Sequence, residues 1–425
     1  MSSNHLRVLV AGGGIGGLCL AQALHRAGVD VTVFERAESP DAFREGYRIH
    51  IDPDGSRALH SCLPEARFAL FEAACGRAPR SFAFLTEQLD ELMLVDVSKV
   101  DPADPVGRHR SINRFTLRQI LLDGLDGHVE FGKELHRYEC AADGTVTAFF
   151  ADGTRETGDV LVGAEGSGSR VRAQLLPQAD RLDTGVVSIG GRLALDASVR
   201  AALPRQLTDG VAMVLASGGA NMFLAPHEHT DDGAALPPHL LPPSRADYLV
   251  WAVTARRRTF RTDAAPEVMT PEAAHALTTS IVATWHDRLR RLVYDTNPAT
   301  ITAMTVRTAA RVGPWPAGNV TVLGDAIHSM PPSRGVGANT ALRDADLLGR
   351  NLVAAAADGD VTAAIADYER RMRGYGFAAV KASERALRQS VITNPIAFTA
   401  TKTMLRMINT ALKLKSGSRP ERRLP

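Results

Sequence analysis

Cysteine is scarce in this chain of 425 residues. There are four, Cys19, Cys62, Cys75 and Cys140, and they are scattered. No Cys-x-x-Cys pair or Cys/His cluster occurs, so neither a metal site nor a redox dithiol is expected, and a reduced, cytoplasmic setting follows. Charge of one sign is lacking too. Lys and Arg number 49 against 47 Asp and Glu, for a net charge of +2, which gives no reason to expect nucleic acid or a strongly charged partner. Long apolar runs are missing, and nothing approaches the roughly 20 residues that a membrane span needs. The first strand-like run begins almost at the first residue, so no signal peptide is expected. Aromatic residues make up only 5%. No catalytic triad or carboxylate pair is visible.

What is present is a soluble globular composition, 45% hydrophobic and 23% charged, in a chain long enough for two domains or one large domain with an insertion. Two glycine-rich turns stand far apart in it. One is Gly12-Gly13-Gly14-Ile15-Gly16-Gly17; the other is Gly324-Asp325 followed by Gly335-Val336-Gly337-Ala338-Asn339. Each lies between a strand-like run and a helix-like run. Together they describe two halves of one site for a long dinucleotide.

The first turn follows Leu6–Ala11, opens a helix-like segment and leads to Val31-Thr32-Val33-Phe34-Glu35-Arg36. In such a unit Gly12 permits the tight turn, Gly14 lets backbone approach a pyrophosphate and Gly17 lets helix and strand pack closely. The helix N-terminus, at Ile15 and Gly16, offers free N–H groups to the phosphates. Glu35 closes the second strand, where a carboxylate accepts both ribose hydroxyls and repels a 2′-phosphate. NAD or the AMP half of FAD satisfies this motif equally.

Further along, the spacing predicts a helix from about Pro53, strands and loops over 80–112, and an amphipathic helix from Phe115 to Leu125. Asp143-Gly144 and Asp152-Gly153 predict hairpin turns in a small antiparallel meander over 134–162. Strand-like runs at 186–195, 211–215 and 248–254 precede a helical stretch at about 271–292. The proline-rich segment 226–245 reads as a mobile surface loop. Helices are expected at 338–357 and 361–385. After Pro395, apolar residues recur at helical spacing, and from Lys402 onward seven basic residues face one acid. The expectation is a helix covering the cofactor domain and a frayed basic end; the alternative is a peripheral anchor on an anionic membrane.

Three motifs now stand in order: GGGIGG with Glu35, GDVLVGAEGSGSRVR at 158–172, and VTVLGDAIHSMPPSRGVGANTALRDADLL at 320–348. With them the chain resembles the group A flavoprotein monooxygenases, the aromatic-hydroxylase family that includes p-hydroxybenzoate, salicylate and kynurenine hydroxylases, to about residue 385. The resemblance implies an α/β fold: a Rossmann-like FAD-binding domain of the GR2 type (1–80, 105–180 and 301–385), an interleaved sheet-based substrate domain (81–104 and 181–300), and a C-terminal helix and basic tail (386–425). It places Asp325 on the ribitol hydroxyls of FAD. It sets Gly335, Gly337, Ala338 and Asn339 at a helix N-terminus whose dipole stabilises negative charge on reduced flavin. Arg114, in Arg114-Phe115-Thr116-Leu117, matches the family's pyrophosphate-binding arginine. Arg44 and Arg48 lie where the chain passes the cofactor, and one of them is expected to touch it; Arg36 follows the ribose acid. The family's Asp-Gly pair reads Glu165-Gly166 here, a departure that bears on nicotinamide coenzyme use. His328 is expected to pack near the cofactor.

The reaction implied by the resemblance is reduction of FAD by NADH or NADPH, addition of O₂ at the flavin C4a carbon, and transfer of one oxygen atom to an apolar aromatic, polyketide or prenylated substrate, by hydroxylation or epoxidation. Arg192 is a candidate cation for an ionised substrate, an ordinary structural arginine being the alternative. Phe82, Phe84, Leu92, Met93, Leu94, Met213, Met222, Phe223 and Trp251 are candidates for the pocket wall or the core. A non-redox cyclase on the same fold, with flavin bound but no coenzyme used, is the other enzymatic reading; a purely binding flavoprotein is a third. A halogenase is disfavoured by the lack of a Trp-x-Trp-x-Ile-Pro segment.

Overall fold

In the computed structural model the chain is described over residues 6–43, 48–97, 104–230, 236–242, 244–262 and 265–417. Its foundation is a five-stranded parallel sheet in the order Val320–Val322, Val160–Gly163, Arg7–Ala11, Asp30–Glu35, Val129–Phe131. Val8, Leu9, Val10, Val160, Leu161 and Val162 are fully buried. Such uninterrupted apolar strands mark a parallel sheet covered on both faces. One cover is helical: Ile15–Arg26 packs on Gly337–Asp358, which packs on Val361–Ser390. The other includes the meander Leu135–Cys140, Val146–Phe150, Arg155–Gly158, turned at Gly144 and Gly153 as the two Asp-Gly pairs predict.

A second sheet stands over the first. Its seven strands run Thr302–Ala309, Arg181–Ala194, Tyr248–Arg256, Asn221–His227, Gly210–Leu215, Ser81–Thr86, Glu91–Asp96. All neighbours are antiparallel except Gly210–Leu215 and Ser81–Thr86. The sheet therefore gathers the segment near residue 81 and the block from 181. It also takes 302–309, which the sequence reading assigns to the FAD domain. A separate apolar core backs it, with Trp251 fully buried and its indole N–H donating to Thr296 Oγ1 at 2.8 Å. A two-stranded ribbon, Arg48–Ile51 with Arg110–Asn113, runs between the two sheets' territories.

Three expectations change. The helical stretch at 271–292 is two helices, Pro271–Val282 and Asp287–Tyr294, because His286 caps the second. The segment 226–245 begins as strand: Pro226 lies past Leu224, the last residue paired with Gly210–Leu215, so its missing N–H breaks no bond on that side. A short turn follows at Pro238–Leu240, and residues 231–235 and 243 lie outside the described residues. The helix Pro395–Gly417 covers the edge of the seven-stranded sheet rather than the cofactor domain. Its Leu405 packs with Leu92 and Leu215.

Candidate active site

The first glycine turn has the close packing its spacing calls for. Gly12 adopts φ 108°, and a Cβ there would stand 2.5 Å from the Ala164 carbonyl oxygen; one on Gly17 would stand 2.1 Å from the Gly12 carbonyl oxygen. Gly14 is different, since a Cβ on it would meet no protein atom within 4 Å. Together with Ile15 and Gly16, Gly14 lines a large cavity. Glu35 is buried beside the turn. Its Oε2 accepts from the Gly13 N–H at 2.8 Å and its Oε1 from the Ala37 N–H at 2.9 Å, so the carboxylate braces the loop and is not itself among the lining residues. Arg118, which sequence reasoning missed, completes the brace: it donates to the Gly13 carbonyl at 3.0 Å and the Pro40 carbonyl at 2.9 Å. Its signal was its place one turn after Arg114 on the helix Arg114–Leu122. Arg36 points to solvent, away from the cavity wall, and Arg44 lies outside the described residues.

The second turn is pinned from behind. Gly324 adopts φ 64°, and its N–H donates to Asp344 Oδ2 at 2.8 Å. The same carboxylate accepts from His328 Nε2 at 2.6 Å and from the Tyr375 hydroxyl at 2.5 Å. Burial alone would lower the His328 pKa, but Asp344, with Asp325 adding to it, outweighs burial and raises it. His328 and Asp344 are both fully buried, a pair that one partner's loss would leave as an uncompensated charge. This clamp aims Asp325 outward into the cavity. Across from it begins the long helix, whose first-turn N–H groups have no partner within the helix itself. Gly335, Gly337 and Ala338 of that entry line the cavity. Asn339 turns its side chain elsewhere: it donates to the His50 carbonyl at 2.9 Å and accepts from the Asp52 N–H at 2.9 Å, tying the helix to the ribbon.

The middle motif shows what the longer acid does. Glu165 accepts from Ser169 Oγ at 2.6 Å and from the N–H groups of Arg170 and Val171 at 3.1 Å each. Burial raises its pKa, and those donors offset part of the rise. The carboxylate folds back onto its own loop and takes the first two N–H groups of the helix Arg170–Leu175, whose N-cap is Ser169, while Gly166, at φ 75°, faces the cavity. A Cβ on Gly166, as on Gly14, would meet no protein atom within 4 Å. The glycine cradle, the outward Asp325 and Arg114 at the cavity wall fit an extended dinucleotide running from the first glycine turn to the long helix.

The cavity holds about 1940 Å³ and joins the two sheets. Strand alternation decides its upper wall. Phe82, Phe84, Met213 and Phe223 face it, whereas Ala83, Met222 and Trp251 point into the opposite core. Leu92 packs under the C-terminal helix, with Met93 against it, and Leu94 against the second core. Asn221, Thr254 and Ser188 add polar points to this wall. Arg192 is not among the lining residues; its guanidinium sits 5.6 Å from the centre of the Tyr248 ring. Arg48 lines the cavity in its stead. Its Nε is buried without a hydrogen-bond partner, and burial lowers its pKa to about 10. Behind it the Tyr248 phenol is pushed up by burial to about 12 and accepts from Asn113 at 3.3 Å. His50 stacks on His109 with ring centroids 5.1 Å apart. Burial, Arg48 and His109 push His50 down to about 4, so it is neutral at physiological pH.

Comparison with known proteins agrees with this geometry. Residues 122–383 match the FAD binding domain family, and residues 10–62 match an NAD(P)-binding Rossmann-like domain. The chain is 32% identical over 398 residues to the dual O-methyltransferase/FAD-dependent monooxygenase CTB3 of Cercospora beticola, covering 88% of this chain and 45% of that protein. It is 30% identical over 369 residues to the aurachin C monooxygenase/isomerase of Stigmatella aurantiaca, covering 86% and 84%. A solved structure described as an FAD-containing monooxygenase, from Photorhabdus luminescens, superposes with a TM-score of 0.80 at 33% identity, covering 92% of this chain and all of that one. The chain spans 41% to 45% of the length of the first curated relatives it matches. With its three motifs converging on one cavity and these matches across most of its length, the chain belongs to the FAD-dependent monooxygenases of the group A aromatic-hydroxylase type.

Proposed function

We propose that the chain uses NADH or NADPH and O₂ to oxygenate an apolar aromatic or polyketide-like ring. The observation that carries this reading is one continuous cavity with a dinucleotide cradle at one end and an apolar wall at the other. FAD, when bound, supplies the redox chemistry and the activated oxygen. Gly14, Ile15, Gly16, Arg114 and Gly166 hold its phosphates, Glu35 marks its adenosine ribose, and Asp325 accepts from its ribitol hydroxyls. The helix entry at Gly337 and Ala338 stabilises negative charge at the flavin's ring end. Phe82, Phe84, Met213 and Phe223 exclude water and fix the plane of the substrate. Arg48 is the cation that an ionised ring oxygen meets. A guanidinium in so buried a place costs on the order of several kcal/mol when unpaired, and a phenolate or enolate relieves that cost while becoming more nucleophilic. Arg192 has no such access.

Relatives support the chemistry at its coarser level: their names include a 3-amino-4-hydroxybenzoate 2-monooxygenase and zeaxanthin epoxidases. Glu165 is occupied within its own loop and is not among the residues that line the cavity. The test is anaerobic mixing of the FAD-loaded protein with NADH and with NADPH, alone and with a panel of phenols. Bleaching of the flavin, faster with a phenol that is then oxygenated in air, is the expected outcome. If neither coenzyme bleaches the flavin under any of these conditions, the reading is wrong.

A further inference from the structure

The C-terminal helix has two faces, and the packing explains only one of them. On the inner face Leu405 and Asn409 are buried. Asn409 accepts from the Leu94 N–H at 3.1 Å and donates to Glu91 Oε1 at 3.0 Å, and Lys413 donates to the same carboxylate at 2.8 Å. These bonds occupy the edge strand Glu91–Asp96 and fix the helix's rotation. The outer face is apolar. Of the ten large apolar side chains that stand exposed among the described residues, six belong to this one helix. Ile396, Met404, Met407, Ile408 and Leu414 are 81%, 50%, 61%, 42% and 70% exposed. At 3.6 residues per turn these five fall within about 120° of arc, which Leu412, 40% exposed, widens to about 160°, with Ala400 and Ala411 between them. A contiguous apolar stripe held outward by specific hydrogen bonds is a docking face, not a scatter of surface residues.

Charge identifies the occupant. Residues 395–417 contain Lys402, Arg406, Lys413 and Lys415 and no acid at all; Lys413 is taken up by Glu91, so the charge offered outward rests on the other three. No helix among the described residues is long and apolar enough to cross a membrane. An amphipathic, purely basic helix lies in the plane of an anionic bilayer surface. We propose that this face docks the protein on an anionic lipid surface. Thr401, Met404 and Leu405 of the same helix line the cavity, so docking sets the cavity mouth against the lipid, where an apolar substrate partitions.

The FAD-loaded full-length chain, co-sedimented with vesicles, tests this. Binding to phosphatidylcholine mixed with phosphatidylglycerol should exceed binding to phosphatidylcholine alone by roughly tenfold. The double variant Met407→Glu/Leu414→Glu should lose binding by roughly tenfold or more. Both positions are exposed, so its flavin content and circular dichroism should match wild type; Val268→Glu, 78% exposed elsewhere, should bind as wild type does. The proposal is overturned if wild type stays in the supernatant with both vesicles, or if the double variant still binds. It is equally overturned if wild type is a dimer in lipid-free buffer that the double variant dissolves, since a second copy then covers the stripe. Vesicle binding reads the helix whatever the flavin does, so it is separable from the coenzyme test.

Discussion

Single residues shape the cofactor end of this site largely by what they omit. Gly14 and Gly166 leave space that no protein atom fills. Gly14→Val should therefore block FAD while the fold persists: flavin retained after gel filtration falls by roughly tenfold or more, and circular dichroism is unchanged. Asp325→Ala acts by the opposite route, removing an acceptor. Hydrogen bonds to a charged group are worth about 1.5–3 kcal/mol, so equilibrium dialysis should show FAD held roughly ten- to hundredfold more weakly. Normal flavin content in either variant would contradict the cradle. At this scale Gly12 and Gly17 were legible because only glycine fits a turn that tight. The arginines were not. Arg192 and Arg48 both sit on strands, and nothing in the local sequence says that one guanidinium reaches the cavity while the other lies beside Tyr248. Glu165 was legible as a departure, but its inward turn onto Ser169 and the helix behind it is a rotamer choice set by packing.

Among the elements, the helix Val361–Ser390 carries a buried acid behind the cofactor sheet. Glu369 accepts from Thr321 Oγ1 at 2.8 Å, and burial raises its pKa to about 7, the hydroxyl offsetting part of the effect. A carboxyl raised in the folded state favours folding when protonated. That contribution is full below its unfolded value, near 4.5, and is lost as pH rises through about 7. Glu369→Gln, which cannot ionise, should melt close to wild type at pH 4.5 and several degrees above it at pH 8, with the gap levelling off above 7. A constant gap across that range would show that Glu369 does not titrate in this window. Helices and the meander were readable here because Asp-Gly turns and 3.6-residue periodicity are local signals. The strand Asn221–His227 was not, since Pro226 reads as a loop until one knows that its neighbour has already ended. The docking of the C-terminal helix depended on Glu91 and Leu94, some 315 residues away in sequence, and no local pattern encodes that.

For the whole molecule, the two sheets share a cavity but have separate cores. A ligand bridging both should couple them. Saturating FAD at about a hundred times its dissociation constant adds roughly 2.7 kcal/mol to the state that binds it. Calorimetry should therefore show the loaded protein unfolding in one transition, several degrees above the stripped protein. Two transitions with FAD bound would mean the cofactor bridges nothing. The parallel sheet was legible from the motif order, because each motif announces one of its turns. The seven-stranded sheet's composition was less so: Thr302–Ala309 joins it by pairing with Arg181–Ala194, a partner more than a hundred residues back.

That interleaving orders events at the ribosome. Strand Ser81–Thr86 is made long before Gly210–Leu215, the parallel partner beside it. Strand Val160–Gly163 likewise precedes Val320–Val322. Neither sheet closes until Thr302–Ala309 and Val320–Val322 have been made, and parallel pairing across such distances is slow. The nascent chain thus carries unpaired apolar edges until those late partners are made, the period when chaperones are needed most. The pocket that captures flavin is finished only after the helix beginning at Gly337 has emerged. Cofactor loading therefore follows the synthesis of that helix, and flavin enters a cavity whose two flanking sheets have already closed.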